Sequence, residues 1–180
     1  MVQCTLIEGF LSDGLPIRLW LAASNGKLVR AALHDDAHPC TQEEFLEKAG
    51  FLNEAQTAGA SDRMLEHAAA EVRDYFAGRR LAFDLPLELS GTEFQMRVWH
   101  QLTQIPFGEV RSYGAVAAAI GLPSSSRAVG RANGANRLPV LVPCHRVIAS
   151  SGQLGGFTGG VGLKKRLLAH EAAVLGRPAF

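Results

Sequence analysis

The first third of the chain carries the period-two alternation of half-buried strands. Ile17-Arg18-Leu19-Trp20-Leu21 alternates apolar and polar at its start. Ser24-Asn25-Gly26-Lys27 follows, with a residue pair suited to positive φ, and predicts a hairpin turn. Residues 28–33 form the return strand and residues 2–7 a third strand. The polar run at 34–40 reads as a loop, and residues 41–48 as a short helix with Phe45 inward. Residues 50–60 give no clear pattern. From 61 the period changes. Ser61-Asp62 caps a helix in which Met64, Leu65, Ala68, Val72, Tyr75 and Phe76 recur at helical spacing, and Gly78 stops it. Residues 81–89, with Pro86, read as an extended linker.

The second half is denser in signals. Thr92 is an N-cap for a helix with Phe94, Val98, Trp99 and Leu102 on one face, broken by Ile105-Pro106-Phe107-Gly108. Ser112 caps a short helix over 113–120. Gly121-Leu122-Pro123 turns the chain, and Ser124-Ser125-Ser126 opens another helix to about Ala132. Two short helices joined by a glycine-containing turn describe a helix-turn-helix, whose second helix carries Arg127 and Arg131. Asn133-Gly134-Ala135-Asn136 turns the chain into the buried apolar run Val140-Leu141-Val142. Five glycines between 155 and 162 argue against a regular element there. A C-terminal helix spans 164–174 with Leu167, Leu168 and Ala172 inward. The fold class is α+β in two domains. A small sheet with a helix occupies 1–85, and a mainly helical domain with the helix-turn-helix occupies 90–175.

Composition adds two constraints. Of 180 residues 47% are hydrophobic and 19% charged, which supports a substantial core and excludes global disorder. The three cysteines, Cys4, Cys40 and Cys144, are odd in number and dispersed, so they form no disulfide framework. No signal-like leader or membrane-length run is present, and a reducing, cytoplasmic setting with no membrane partner follows. The net charge of +1 conceals a division. Residues 1–85 hold 8 Lys/Arg against 13 Asp/Glu, a net −5, whereas residues 86–180 hold 10 against 4, a net +6. The second half is the one fitted to meet a polyanion.

The candidate chemistry lies in that half. In Leu141-Val142-Pro143-Cys144-His145-Arg146 a thiol, an imidazole and a guanidinium follow a proline in direct succession. A thiolate beside basic groups is a nucleophile; a buried structural cysteine is the bland alternative. In extended chain His145 would point away from Cys144, so a bridging water or a bend is needed to pass the proton. Glu171, one of four acids in the second half, is the candidate to orient His145, against the reading of a surface glutamate. Arg127 faces DNA or makes an ordinary salt bridge. Tyr113 stands at a helix start that welcomes phosphate or packs in the core. Cys4, His34, His38 and Cys40 fit no closed metal site, so no metal ligand is assigned.

These stretches together resemble one family. Gly91-Thr92-Glu93-Phe94-Gln95, Val98-Trp99, Ile105 to Gly108, Ser112-Tyr113, Ile120-Gly121, Arg127 to Gly130, Ala132 to Asn136, Pro143 to Val147, Gly159-Gly160 and Lys164 to Glu171 are similar to the O6-alkylguanine-DNA alkyltransferases. The first 85 residues match only loosely, as that family's variable N-terminal, ribonuclease H-like domain would. The resemblance implies direct repair of O6-alkylguanine, and of O4-alkylthymine, in double-stranded DNA by a monomer that acts once and needs no cofactor. It makes Cys144 the alkyl acceptor, His145 and Glu171 the proton relay, and Asn136 a hinge. Arg127 becomes the finger that fills the stack, with Tyr113, Gly114 and Ser150 on DNA. Tyr113, Val147, Phe157 and Thr158 form the guanine pocket. Arg137 and Phe157 depart from the proline and tyrosine common in the family. The rival readings are a non-catalytic helix-turn-helix protein that binds DNA lesions, a thiol hydrolase, and a combined regulator and repair protein, which would carry a further metal-binding cysteine cluster.

Overall fold

A computed structural model describes residues 2–51, 55–57 and 63–178, and the chain divides into two units, Met1–Glu88 and Leu89–Phe180. In the first unit, strand β1 (Val2–Phe10) pairs antiparallel with β2 (Pro16–Ser24), which pairs antiparallel with β3 (Lys27–His34). The turn between β2 and β3 holds Asn25 at φ 50° and Gly26 at φ 73°, the left-handed pair that closes such hairpins. Thr41 and Glu44 form a capping box on α1 (Gln42–Ala49). Trp20 stacks on Phe45 with ring centroids 5.9 Å apart, above a cluster of Val2, Cys4, Ala22 and Leu46.

A fourth strand, β4 (Ala55–Thr57), runs parallel to β1 and gives the order β3-β2-β1-β4. It falls in the stretch that lacked a sequence pattern, because three residues are too few for alternation to register. Helix α2 (Arg63–Phe76) packs on β1 and buries Leu65, Ala68, Val72, Tyr75 and Phe76. The expected cap at Ser61-Asp62 lies outside the described residues. The extended stretch 81–89 is bonded to the first unit. Leu28 N–H donates to Pro86 O and Glu88 N–H to Leu28 O, both at 2.8 Å. The buried Glu71 carboxylate accepts from Asp84 N–H at 3.0 Å and from Arg80.

The second unit opens with α3 (Glu93–Thr103), capped by the reciprocal Thr92 and Gln95 pair. Val98, Trp99 and Leu102 are its buried face, and Phe94 is half-buried. The helix-turn-helix consists of α4 (Tyr113–Ala119), with Ser112 as N-cap, and α5 (Ser126–Gly134). Trp99 Nε1 donates to Ala132 O at 2.8 Å and so fastens α5 to α3. Helix α5 continues two residues past its expected end at Ala132. The reason is tertiary: Asn133 is buried, and its side-chain amide donates to Cys144 O at 3.3 Å. Strands β5 (Arg111–Ser112) and β6 (Val147–Ile148) make a short parallel pair. Helix α6 runs over Gly160–Val174, four residues earlier than the glycines suggested. Burial of Leu163 and Lys164 outweighs the cost of two glycines in its first turn. The architecture is therefore α+β, with a mixed sheet and helices in one unit and a mainly helical second unit. No helix among the described residues is long and apolar enough to cross a membrane.

Candidate active site

The chain leaves α5 through a tightly bonded loop. Asn136 Oδ1 accepts from Leu138 N–H at 3.0 Å, and Val142 N–H donates to Leu138 O at 2.8 Å. Within the loop Val140 sits at φ 74°, a left-handed conformation that a β-branched residue adopts only under strain. Pro143 follows, and Cys144–Arg146 form one turn of 3₁₀ helix rather than extended chain. Successive side chains in such a turn diverge by about a third of a revolution. The turn therefore supplies the bend that extended chain lacks. All three side chains are buried.

Cys144 is 1% exposed. Its Sγ accepts from Asn136 Nδ2 at 3.1 Å, and the same amide donates to Val142 O at 2.9 Å. Burial pushes the thiol up from 9.0 to about 11, against the opposing pulls of the Asn136 hydrogen bond and the nearby Lys164 charge. At neutral pH the resting group is a thiol. The thiolate expected from the flanking basic residues is absent in this state, because dehydration outweighs them.

His145 is fully buried, and its Nε2 lies 2.9 Å from Glu171 Oε1. Burial dominates the imidazole and lowers its pKa, which leaves it neutral at rest. Glu171 is also fully buried. Burial alone would raise its carboxyl, but the His145 and Arg146 charges and hydrogen bonds outweigh it and hold the group well below the usual carboxylate range. An ionised carboxylate only accepts. Nε2 therefore carries the imidazole proton, and Nδ1 keeps the basic lone pair. That Nδ1 has no hydrogen-bond partner among the described residues.

Arg146 fixes Glu171 in turn. Its Nε lies 3.1 Å from both carboxylate oxygens and its Nη2 2.8 Å from Oε1. Nη1 donates to Ile105 O at 2.7 Å, and the guanidinium lies 5.7 Å from the Phe107 ring centroid. Gly108 N–H donates to Glu171 Oε2 at 2.8 Å. Gly108 takes φ 72°, and a Cβ there would collide with Leu175, so only glycine delivers this donor.

Beside this network lies a cleft of about 600 Å³, lined by Tyr113, Arg127, Gly130, Arg131, Gly134, Gly155, Gly156, Phe157 and Thr158. Tyr113 is half-buried; burial, and then the proximity of Cys144, raise its phenol pKa. Lys164 is fully buried, 5.9 Å from the Tyr113 ring centroid, and donates to Val147 O at 2.6 Å. A Cβ on Gly155 would run into the Tyr113 side chain, so a bare backbone is what lets the 155–156 segment approach the phenol.

Two family models match the chain: the DNA binding domain of 6-O-methylguanine DNA methyltransferase over residues 93–173, and its ribonuclease-like domain over 18–89. A methylated-DNA–protein-cysteine methyltransferase of Methanosarcina acetivorans is 41% identical over 137 residues, covering 73% of this chain and 88% of the relative. The chain belongs to the 6-O-methylguanine DNA methyltransferase family. A relative from Mycolicibacterium paratuberculosis, also a methylated-DNA–protein-cysteine methyltransferase, is 51% identical over 109 residues; that match covers 61% of this chain and 66% of the relative, just under two thirds of its length. The crystal structure of Mycobacterium tuberculosis OGT in complex with DNA superposes with a TM-score of 0.74 at 35% identity, covering 94% of this chain and 93% of that one. The M. tuberculosis O6-methylguanine methyltransferase structure gives 0.73 at 36%, covering 98% and 97%.

In this methyltransferase-family chain the candidate residues fall into two groups. Asn136 and Cys144 form one buried hydrogen-bonded pair and His145 and Glu171 another, adjoining through the Cys144-His145 peptide. Tyr113, Arg127, Phe157 and Thr158 line the cleft. Val147 does not line it: the side chain is fully buried, and the carbonyl is taken by Lys164. Gly114 is half-buried in α4, while Ser150 and Arg137 are exposed on turns outside the cleft lining. Arg146, Gly108, Asn133 and Lys164 are further partners that hold the site; the sequence signals Arg146 only as a basic neighbour of Cys144, and Gly108 only as a helix breaker. Of the four soft-ligand candidates, Cys4 Sγ accepts from Gln42 Nε2 at 3.4 Å and Cys40 lies 3.6 Å from Thr41 O, whereas His34 buries both ring nitrogens without a hydrogen-bond partner among the described residues. Among the described residues no group of three His, Cys, Asp or Glu side chains is gathered to hold a metal ion.

Proposed function

We propose that this protein repairs duplex DNA by moving the alkyl group of O6-alkylguanine to Cys144 in one irreversible turnover, acting as a cytoplasmic monomer without a cofactor. The observation that carries this reading is the buried sequence of groups from the Cys144 thiol to the His145–Glu171–Arg146 network, with Nδ1 as the one basic lone pair of the imidazole. The relatives named as methylated-DNA–protein-cysteine methyltransferases, and the DNA in the M. tuberculosis OGT complex, support DNA as the substrate.

The Cys144 proton passes to His145 Nδ1 through a water, and Glu171 holds the imidazolium that forms. Asn136 Nδ2 stabilises the thiolate as it appears. The Sγ attacks the alkyl carbon in line with the carbon–O6 bond. A carbon–sulfur bond forms, the carbon–O6 bond breaks, and its electron pair goes to the guanine. The proton lent to His145 returns to the base, so the thiol hydrogen and the alkyl group have changed places. A thioether is no leaving group for water, and the protein is consumed.

Inside a stacked duplex O6 is out of reach of a thiol that is 1% exposed, so the nucleotide must be extruded. In this reading Arg127 fills the gap left in the stack, and Tyr113, Gly114 and Ser150 contact the DNA. Tyr113, Phe157 and Thr158 hold the base. Phe157 brings no hydroxyl to the wall and leaves it apolar, which suits larger alkyl groups; the same pocket would take O4-alkylthymine.

Intact-mass analysis tests the proposal. Incubation with duplex DNA containing O6-methylguanine should add one methyl per protein molecule, with none added to Cys144→Ser. Repeated turnover without a change of protein mass would overturn it.

A further inference from the structure

We propose that Arg131 binds the phosphate of the extruded nucleotide, and that the uncovered wall at Gly134 leaves room for its sugar; the inference rests on the base-extrusion reading above. Arg127 and Arg131 lie one turn apart on α5, and both are exposed and line the cleft. Residues four apart share a helix face, so the two guanidinium groups serve the same ligand side. Neither is matched to an acid among the described residues: in the second unit Glu109 pairs with Arg111, and Glu171 with His145 and Arg146. A cleft of about 600 Å³ exceeds what a flat base occupies and lies within the roughly 300–1,000 Å³ of small-ligand sites. The cleft therefore has room beside the base for the group attached to it.

The glycine in the cleft wall supports this. Gly134 ends α5 without a positive φ, and a Cβ there would meet nothing within 4 Å. Alanine would favour the helix and fit the protein. Neither backbone nor internal packing accounts for the glycine; an uncovered surface toward a close-approaching ligand does. The ligand class is a nucleoside phosphate within a strand, and a phosphate contact there fixes position without reading sequence.

The test is equilibrium binding in a Cys144→Ser background, where lesion DNA binds without reacting, measured across salt on duplexes with and without O6-methylguanine. In Arg131→Gln the log–log salt slope on lesion duplex should fall by about 0.9, the amount for one lost phosphate contact. The slope on undamaged duplex should stay as it was, and Arg131→Lys should restore the lesion slope. In Gly134→Leu, a change that favours the helix, affinity for lesion duplex should fall at least tenfold with the melting temperature unchanged or raised. An unchanged slope in Arg131→Gln, an equal fall on both duplexes, or full affinity in Gly134→Leu would each overturn the inference. Failure of the underlying repair reading is separately visible, as wild-type protein that gains no methyl from lesion duplex.

Discussion

Substituting Glu171 by glutamine removes one charge from a fully buried pair and strands Arg146 without its counter-ion. Breaking a buried pair in this way costs about 3–5 kcal/mol. It also removes the acceptor that fixes the proton on His145 Nε2. Glu171→Gln should therefore lower the transfer rate by two to four orders of magnitude, a range set by wrong-tautomer relays. Single-turnover kinetics on lesion duplex, with a melting curve beside them, check both effects. Cys144 gives a second prediction. With the thiol at about 11, its alkylation by iodoacetamide should climb with pH through 8–10 without a plateau. A plateau near neutrality would mean a preformed thiolate and would remove the need for the relay. The stability effect has a definite sign. The folded pKa is raised above the ordinary 9.0, so the contribution is present below pH 9 and lost as pH rises toward 11. Melting temperature against pH should show this alkaline loss in wild type and not in Cys144→Ala. For His145 the sign is reversed. Its folded pKa is lowered, so its contribution is present above 6.5 and lost as pH falls through the folded value.

At the scale of elements, the site is carried by short pieces held by single residues. Gly108 follows α3 and delivers an amide to Glu171 from a left-handed conformation. Gly108→Ala adds both conformational strain and a collision with Leu175. We expect a loss of about 1–3 kcal/mol in urea unfolding together with slower transfer, because the same residue serves fold and site. Val140 sets two effects against each other. Its strained φ is held by the loop around it, so Val140→Gly relieves strain but removes a buried side chain. Thr92 provides a comparison confined to stability. Thr92→Ala breaks the capping box on α3 and should cost about 1 kcal/mol while leaving the rate on lesion duplex unchanged.

For the whole molecule, charge is partitioned by unit. Residues 1–88 carry 8 Lys/Arg against 14 Asp/Glu, a net −6, and residues 89–180 carry 10 against 3, a net +7. If the second unit alone meets the phosphates, neutralising the exposed Glu43 and Glu66 should leave the salt slope of DNA binding unchanged. Arg131→Gln should lower the slope on lesion duplex by about 0.9. Filter-binding titrations over a range of salt decide this, and equal effects from both changes would assign binding to overall charge.

Features whose physics is local can be read from the chain alone. Hairpin chemistry at Asn25-Gly26, caps at Thr92 and Ser112, helical spacing in α2 and α3, and the contiguous Pro143-Cys144-His145-Arg146 are legible because the interacting residues lie within a few positions of one another. Glu171 was legible as a lone acid on an apolar helix. Tertiary structure decided the rest. Gly108 meets Glu171 across 63 residues, Lys164 meets Val147 across 17, and Asn133 meets Cys144 across 11. None of these pairings leaves a periodic trace. The protonation of the site belongs to the same class. Neighbouring basic residues in the chain argue for a thiolate, but the pKa is set by how much water the fold removes, and burial at Cys144 makes the resting group a thiol.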